Sequence, residues 1–168
     1  EFYITLYGDT YYRGRPYDVG VIAEVSDRVI IMAYDFHKAR GDGGPNFPFD
    51  DNSEYPYDFK KMVDDFKKDV PAEKIEITFG LFGYDWTKGE TGLAESYSYG
   101  EIKQKFIENC MDCTDLTNND SQEGHILYKE GDVEHDVWYE TPKSVEIKKK
   151  YANEKGITHF SAWAYSYY

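Results

Sequence analysis

The sequence predicts a parallel α/β fold, and three observations carry that expectation. Short apolar runs alternate with segments of helical period. One run, Arg28 to Tyr34, is β-branched and apolar on both faces, the pattern of a strand buried on two sides. Successive runs are separated by helical patterns of about 10–15 residues, the spacing of parallel pairing through right-handed crossovers. The chain of 168 residues is read as a single domain, 1–168. Four parallel strands suit either a small doubly wound sheet or half of a (β/α)8 barrel, since a complete barrel takes about 250 residues.

The elements follow in order. Phe2 to Tyr7 is the first strand, and Gly8, Gly14 and Pro16 punctuate the loop after it. Tyr17 to Glu24 reads as a short helix, and Arg28 to Tyr34 as the second strand. The polar stretch from Asp35 to Pro56 is a long loop, and loops longer than about 15 residues in a small domain are usually functional. Phe59, Met62, Val63, Phe66 and Val70 recur at helical spacing within Tyr57 to Val70. Lys74 to Leu81 is the third strand, and Phe82 to Tyr97 reads as a loop. Ser98 and Glu101 have capping-box spacing and open a helix through Ile102, Phe106 and Ile107. Residues 112–124 are polar, and His125–Lys129 and Glu134–Glu140 flank a turn as a β-hairpin. Thr141 and Pro142 are an N-cap and a first helical position, with Gly156 past the helix end. Ile157 to Tyr165 is the last strand, and residues of about 109–140 read as an insertion.

Composition excludes several classes. The net charge is −13, so clustered cations for a phosphate backbone are not expected and nucleic acid is no partner. Aromatic residues make up 18% of the chain, which sets it apart from a disordered acidic tail. Val29 to Tyr34 is the longest strongly apolar run, too short for a helical membrane span of about 20 residues. Neither a G-x-G-x-x-G nor a P-loop occurs, and G-x-S-x-G is missing too. Cys110 and Cys113 form a lone C-x-x-C, half of a four-ligand zinc site, and are read as plain thiols or a local disulfide. No metal site or cofactor is expected. His37 reads as a surface loop residue, and Lys148-Lys149-Lys150 as a solvated helix face. Glu140 is a remote candidate to reach the site from the hairpin.

In parallel α/β folds the active face lies at the carboxyl ends of the strands. That face gathers Gly8 and Asp9, then Tyr34, Asp35 and His37, then Phe82 to Trp86, then Trp163 to Tyr165. Aromatic planes beside carboxylates suit sugar rings, which stack through their C–H faces and bond through their hydroxyls.

Four segments in order resemble family 18 glycoside hydrolases, the chitinase-like enzymes. Residues 26–37, Ser-Asp-Arg-Val-Ile-Ile-Met-Ala-Tyr-Asp-Phe-His, resemble the sixth barrel strand with its M-x-Y-D end. Residues 77–86, Ile-Thr-Phe-Gly-Leu-Phe-Gly-Tyr-Asp-Trp, resemble the seventh strand and its loop. Residues 135–144 are similar to an insertion of bacterial members acting on spore or cell-wall glycans, and residues 156–164 to the eighth strand. The resemblance implies a partial (β/α)8 TIM barrel, strands five to eight. It implies cleavage of β-linked N-acetylglucosamine polymers by substrate-assisted retention, in which the sugar's acetamido oxygen replaces an enzymic nucleophile. Tyr34 and Asp35 would be the catalytic positions of this chain. Met32, Tyr84, Asp85, Trp86 and Trp163 would shape the sugar subsite.

One departure bears on activity. The family's general acid ends a D-x-x-D-x-D-x-E motif, and the nearest imitation here, Asp50 to Glu54, has Asn52 and Phe47 where Asp is required. The expectation is a C-terminal half that supplies the subsite, lacks the acid, and is inactive alone. A missing N-terminal half or a second copy would cover its open edges. The resemblance also implies an extracellular, cell-envelope or spore location. A non-catalytic carbohydrate-binding module is the alternative, and a flavodoxin-like interaction domain, with helices on both sheet faces, is a further one.

Overall fold

The computed structural model describes residues 1–50, 55–89, 92–117 and 120–164. In chain order the elements are β1 (Tyr3–Tyr7), α1 (Val19–Val25), β2 (Arg28–Ala33), α2 (Phe59–Asp69), β3 (Ile75–Gly80) and β4 (Phe82–Thr87). They continue with β5 (Glu95–Ser98), α3 (Tyr99–Ile102), β6 (Thr114–Asp115), β7 (Gly124–Glu130), β8 (Val133–Tyr139), α4 (Pro142–Glu154) and β9 (His159–Trp163). Two sheets result. The first is parallel, in the order β1-β2-β3-β9, and the second is antiparallel, in the order β5-β4-β8-β7-β6.

Helix ends follow local chemistry. The Asp18 carboxylate accepts the Val21 amide at 3.0 Å to start α1, and Asp58 accepts that of Lys61 at 2.8 Å to start α2. Lys67 and Lys68 lie in the last turn of α2, where cations complement the helix dipole. Ser98 and Glu101 form the expected capping box, and α3 runs on into a π-helical segment over Lys103–Glu108. At α4 Thr141 and Ser144 cap reciprocally with Pro142 inside the first turn. Gly156 follows at φ +87°, a backbone that a side chain would strain.

Among the described residues, helices cover the parallel sheet on one face only. Alternating Val29, Ile31 and Ala33 of β2 and Ile75, Ile77 and Phe79 of β3 are fully or nearly fully buried. They share one apolar cluster with Val19 and Ala23 of α1, Phe59, Met62, Val63 and Phe66 of α2, and Ala152 of α4. The opposite face keeps Tyr3, Thr5, Tyr7 and Trp163 exposed. That geometry overturns the doubly wound, flavodoxin-like alternative, which needs helices on both faces. The sheet is not closed among the described residues.

The antiparallel sheet brings a second correction. Phe82 to Tyr97 is not a loop: its two ends are β4 and β5, paired from Phe82↔Ser98 to Asp85↔Glu95. The period-2 run Phe82, Tyr84, Trp86 is a strand signature that the loop reading passed over, with Gly83 inside it and its main partner, β8, about 50 residues away in sequence. The antiparallel unit therefore begins at Phe82, well before residue 109. The expected hairpin is present as β7 and β8, paired from Gly124↔Tyr139 to Glu130↔Val133. Cys110 and Cys113 are joined as a local disulfide. Among the described residues no helix is long and apolar enough to cross a membrane. The last strand ends at Trp163, and the expectations for Asp51–Glu54 and Tyr165 lie outside the described residues.

Candidate active site

Strand register brings the expected residues together. Tyr7, Met32, Thr78 and Ser161 form one row across the uncovered face, through the pairs Tyr7↔Met32, Met32↔Thr78 and Thr78↔Ser161. The next row toward the carboxyl ends holds Tyr34, Gly80 and Trp163, since Gly80 pairs with Trp163 and Tyr34 lies two residues beyond Met32. Gly80 is required by close packing, because the Phe82 ring and Tyr34 already fill the space a side chain would take. A Cβ there would come within 2.8 Å of the Tyr34 Cβ and 2.5 Å of the Phe82 ring. Trp163 is 55% exposed, a large indole presented to solvent rather than packed in the core. The Trp163–Ala164 peptide bond is cis.

Asp35 turns the chain out of β2 at φ 59°, an unusual backbone for a residue with a side chain. Asn46 holds that turn. Its side-chain oxygen accepts the Asp35 amide at 2.8 Å, and its carbonyl accepts the Phe36 amide at 2.8 Å. The Asp35 carboxylate then accepts the Tyr84 hydroxyl at 2.8 Å. Burial pushes the Asp35 carboxyl above its ordinary range, against the lowering pull of the Tyr84 bond and Lys38. Burial also raises the Tyr34 phenol, so it stays protonated and able to donate at neutral pH.

The β4 strand supplies a wall. Phe82, Tyr84 and Trp86 point to one side of it, and their rings meet edge to face at 5.4 Å for each successive pair. Phe82 also meets the Tyr34 ring at 5.8 Å, which ties the wall to the parallel sheet. The wall continues into the hairpin through Trp138, paired with Tyr84, and through His125, stacked on Trp138 at 3.8 Å. The indole N–H of buried Trp86 has no hydrogen-bond partner among the described residues.

Asp85 is corrected. It projects from the other side of β4, buried, and accepts bonds from the Tyr128 hydroxyl at 2.5 Å and His135 Nδ1 at 3.0 Å. Strand alternation sends Asp85 to the opposite side of β4 from Tyr84 and Trp86. His37 is also not a free surface histidine: its Nδ1 bonds the Pro45 carbonyl at 2.7 Å, and burial holds its pKa below the usual value.

The sequence reading missed the support beneath the site. Lys148 is not solvated. It is completely buried, with its Nζ 2.5 Å from Glu123 and 2.7 Å from Glu140. Glu123 in turn accepts the amides of Asn46 at 2.6 Å and Phe47 at 2.8 Å. A chain of bonds thus runs from α4 through Glu123 and Asn46 to the Asp35 turn. Burial raises Glu140 despite the nearby ammonium; burial opposes the Lys148 charge too, but the two carboxylates outweigh it and raise Lys148. Glu140 is therefore a partner of Lys148 rather than a group reaching the site. The α4 pattern carried one clue, because Lys148 shares a helix face with Ser144 and Ala152, both fully buried. Among the described residues no cluster of three or more His, Cys, Asp or Glu side chains is arranged to hold a metal.

Comparison with known proteins bears on this geometry. Residues 3–167 match the model of glycosyl hydrolases family 18. The chain is 28% identical over 152 residues to the cortical fragment-lytic enzyme of Bacillus anthracis, covering 88% of this chain and 33% of that protein. It is 25% identical over 174 residues to a class V chitinase of Arabidopsis thaliana, covering 94% of this chain and 44% of that one. The crystal structure of the Bacillus cereus spore cortex-lytic enzyme SleL superposes with a TM-score of 0.73 at 25% identity, over 96% of this chain and 36% of that one. A family 18 N-acetylglucosaminidase from Paenibacillus barengoltzii superposes with a TM-score of 0.79 at 16% identity, over 99% of this chain and 52% of that one, a likeness of fold. The chain spans less than half the length of each of the two curated relatives. Its parallel sheet with one-sided helices is of the TIM-barrel-like α/β type that these structures share. The chain belongs to glycoside hydrolase family 18.

Proposed function

We propose that this chain is the sugar-binding half of a family 18 glycosidase barrel, strands five to eight, which grips a β-linked N-acetylglucosamine glycan. The observation that carries the reading is the row of Tyr34, Gly80 and Trp163 on an uncovered sheet face, with Asp35 bonded to Tyr84 at its rim. Trp163 offers an indole floor for a sugar ring, and Gly80 lets the Phe82 ring pack against Tyr34 beside it. The protonated Tyr34 phenol donates to the acetamido oxygen as that oxygen attacks the anomeric carbon. Asp35, held by Asn46 and Tyr84, accepts from the acetamido N–H and offsets the positive charge that develops on the ring. Met32 underlies the slot in the adjacent row, and Tyr84 and Trp86 wall it.

The proton for the leaving oxygen comes from a Glu encoded outside residues 1–168, on strands that cover the exposed face. The motif carrying that Glu in the family does not occur in this sequence. A spore or cell-envelope glycan is the natural target, because relatives bear the names cortical fragment-lytic enzyme and spore cortex-lytic enzyme. The test pairs this chain with a longer protein containing it, both incubated with a chromogenic chitooligosaccharide. Turnover by the longer protein and none by the chain is expected. Comparable turnover by the chain alone contradicts the division of labour. Binding without turnover by both proteins favours a carbohydrate-binding module instead.

A further inference from the structure

The antiparallel sheet carries a cavity of about 530 Å³ at its hairpin end, bordered by Lys88, Asp112, Leu127, Tyr128, Glu134 and His135. That volume is in the range of small-ligand pockets. Tyr128 and His135 stand on the Asp85 side of the sheet, so β4 and β8 separate this pair from the wall of Tyr84 and Trp86. The two rings stack at 4.5 Å. Buried Asp85 fixes both, accepting from the Tyr128 hydroxyl at 2.5 Å and from His135 Nδ1 at 3.0 Å. A carboxylate only accepts, so the neutral imidazole carries its hydrogen on Nδ1 and presents a lone pair at Nε2. That nitrogen has no hydrogen-bond partner among the described residues.

The charges around the imidazole select against an ion. Lys88 and Lys129 are balanced by Asp112 and Glu134, and Lys129 already binds Glu134 at 3.0 Å. The rim therefore offers ammonium donors and carboxylate acceptors side by side, with no net charge to attract an anion or a cation. A hydroxyl both donates and accepts, so a neutral ligand rich in hydroxyls uses both kinds of group. The Tyr128 ring and Leu127 supply apolar surface for the C–H face of such a ligand. The Cys110–Cys113 disulfide brackets Asp112 and ties its loop at the cavity edge.

We infer that this cavity is a second glycan-binding site, which takes a neutral sugar residue of the polymer apart from the slot between Tyr34 and Trp163. His135 Nε2 accepts from one sugar hydroxyl, Lys88 donates to another, and Asp112 accepts from a third. The inference rests on the glycan reading above for the identity of the ligand. The site itself is separate, since the β4–β8 pair stands between its stacked rings and the wall of the slot. It holds the chain on a polymer while the slot is empty.

The test adds chitotetraose to the chain and follows the backbone amide resonances of Thr114 and His135 together with the indole N–H of Trp163. Two independent sets of saturable shifts are expected. In Trp163→Ala the cavity set persists, with its affinity changed by less than about twofold, because the two sites do not touch. Lys88→Ala with Asp112→Ala, both exposed positions, weakens the cavity set about fivefold and leaves the Trp163 shift in place. Amides of Thr114 and His135 that stay fixed while Trp163 shifts overturn the second site and leave the slot standing. Cavity shifts that vanish in Trp163→Ala, or that survive the paired substitution unchanged, also overturn it. Shifts at the cavity alone uphold it and remove the slot, and no shift at either place removes both.

Discussion

The two faces of the parallel sheet are held by different physics. The helical face is dry and apolar: Ile31, Ile77, Phe59 and Phe66 are completely buried, and shape and area alone keep them in place. The open face carries Tyr7, Tyr34 and Trp163, and its rim is organised by polar bonds from Lys148 through Glu123 and Asn46 to Asp35. The lesson is a separation of tasks. Apolar packing fixes where the strands run, and the buried polar chain fixes how one turn presents its carboxylate. Substitutions on the two sides should therefore fail in different ways.

The largest effect belongs to the helical face. Phe66→Ala removes a completely buried ring under the sheet and should cost about 4 kcal/mol in urea unfolding. A loss below about 1 kcal/mol would mean that α2 does not carry the fold.

The polar support ranks next. Lys148→Met leaves Glu123 and Glu140 buried without their shared cation and should cost about 3 kcal/mol. Adding Glu140→Gln should recover part of it, because that buried carboxylate no longer needs a counter-ion while its remaining oxygen still accepts from Ser144. An unchanged loss in the double variant would show that packing, not charge, is at issue.

Trp163→Ala sharpens the contrast from the open side. Stability should move by less than about 0.5 kcal/mol for so exposed a side chain, while chitooligosaccharide affinity falls about tenfold. Equal affinity in wild type and variant would strike Trp163 from the site.

How much of this was legible depends on the length scale of the forces. The parallel sheet, its helices and the Ser98–Glu101 capping box follow from local periodicity and local hydrogen bonds, so Val29 to Ala33 and Ser98 to Glu101 could be read directly. Strand-end position and motif order placed Tyr34 and Trp163 together at the carboxyl ends of the strands, which the register also does. The β4–β8 pairing was not legible, because its evidence is a partner far along the chain. The burial of Lys148 was hidden for the same reason, since two acidic residues on separate segments convert a surface-looking lysine into an interior one. Asp85 was misassigned because a loop has no fixed alternation, whereas a strand sends Tyr84 and Asp85 to opposite sides.

The smallest effect concerns pH. Burial raises Asp35 above its ordinary value of 3.8, so the folded state holds that proton more tightly than the unfolded chain. Its contribution to stability is therefore most favourable below the ordinary value and is lost as pH rises through the raised one. Asp35→Asn should leave stability at acid pH unchanged and gain less than about 1 kcal/mol near neutrality. It should also weaken glycan binding. A stability loss at neutral pH would mean that the carboxylate itself holds the turn.

The most direct measurement follows the indole N–H resonances of Trp86, Trp138 and Trp163 while chitotetraose is added to the chain. The sugar slot predicts saturable shifts at Trp163 and Trp86, both weakened by Tyr34→Phe. Resonances that stay fixed through the titration, or move only at Trp138, would contradict an aminosugar seated between Tyr34 and Trp163.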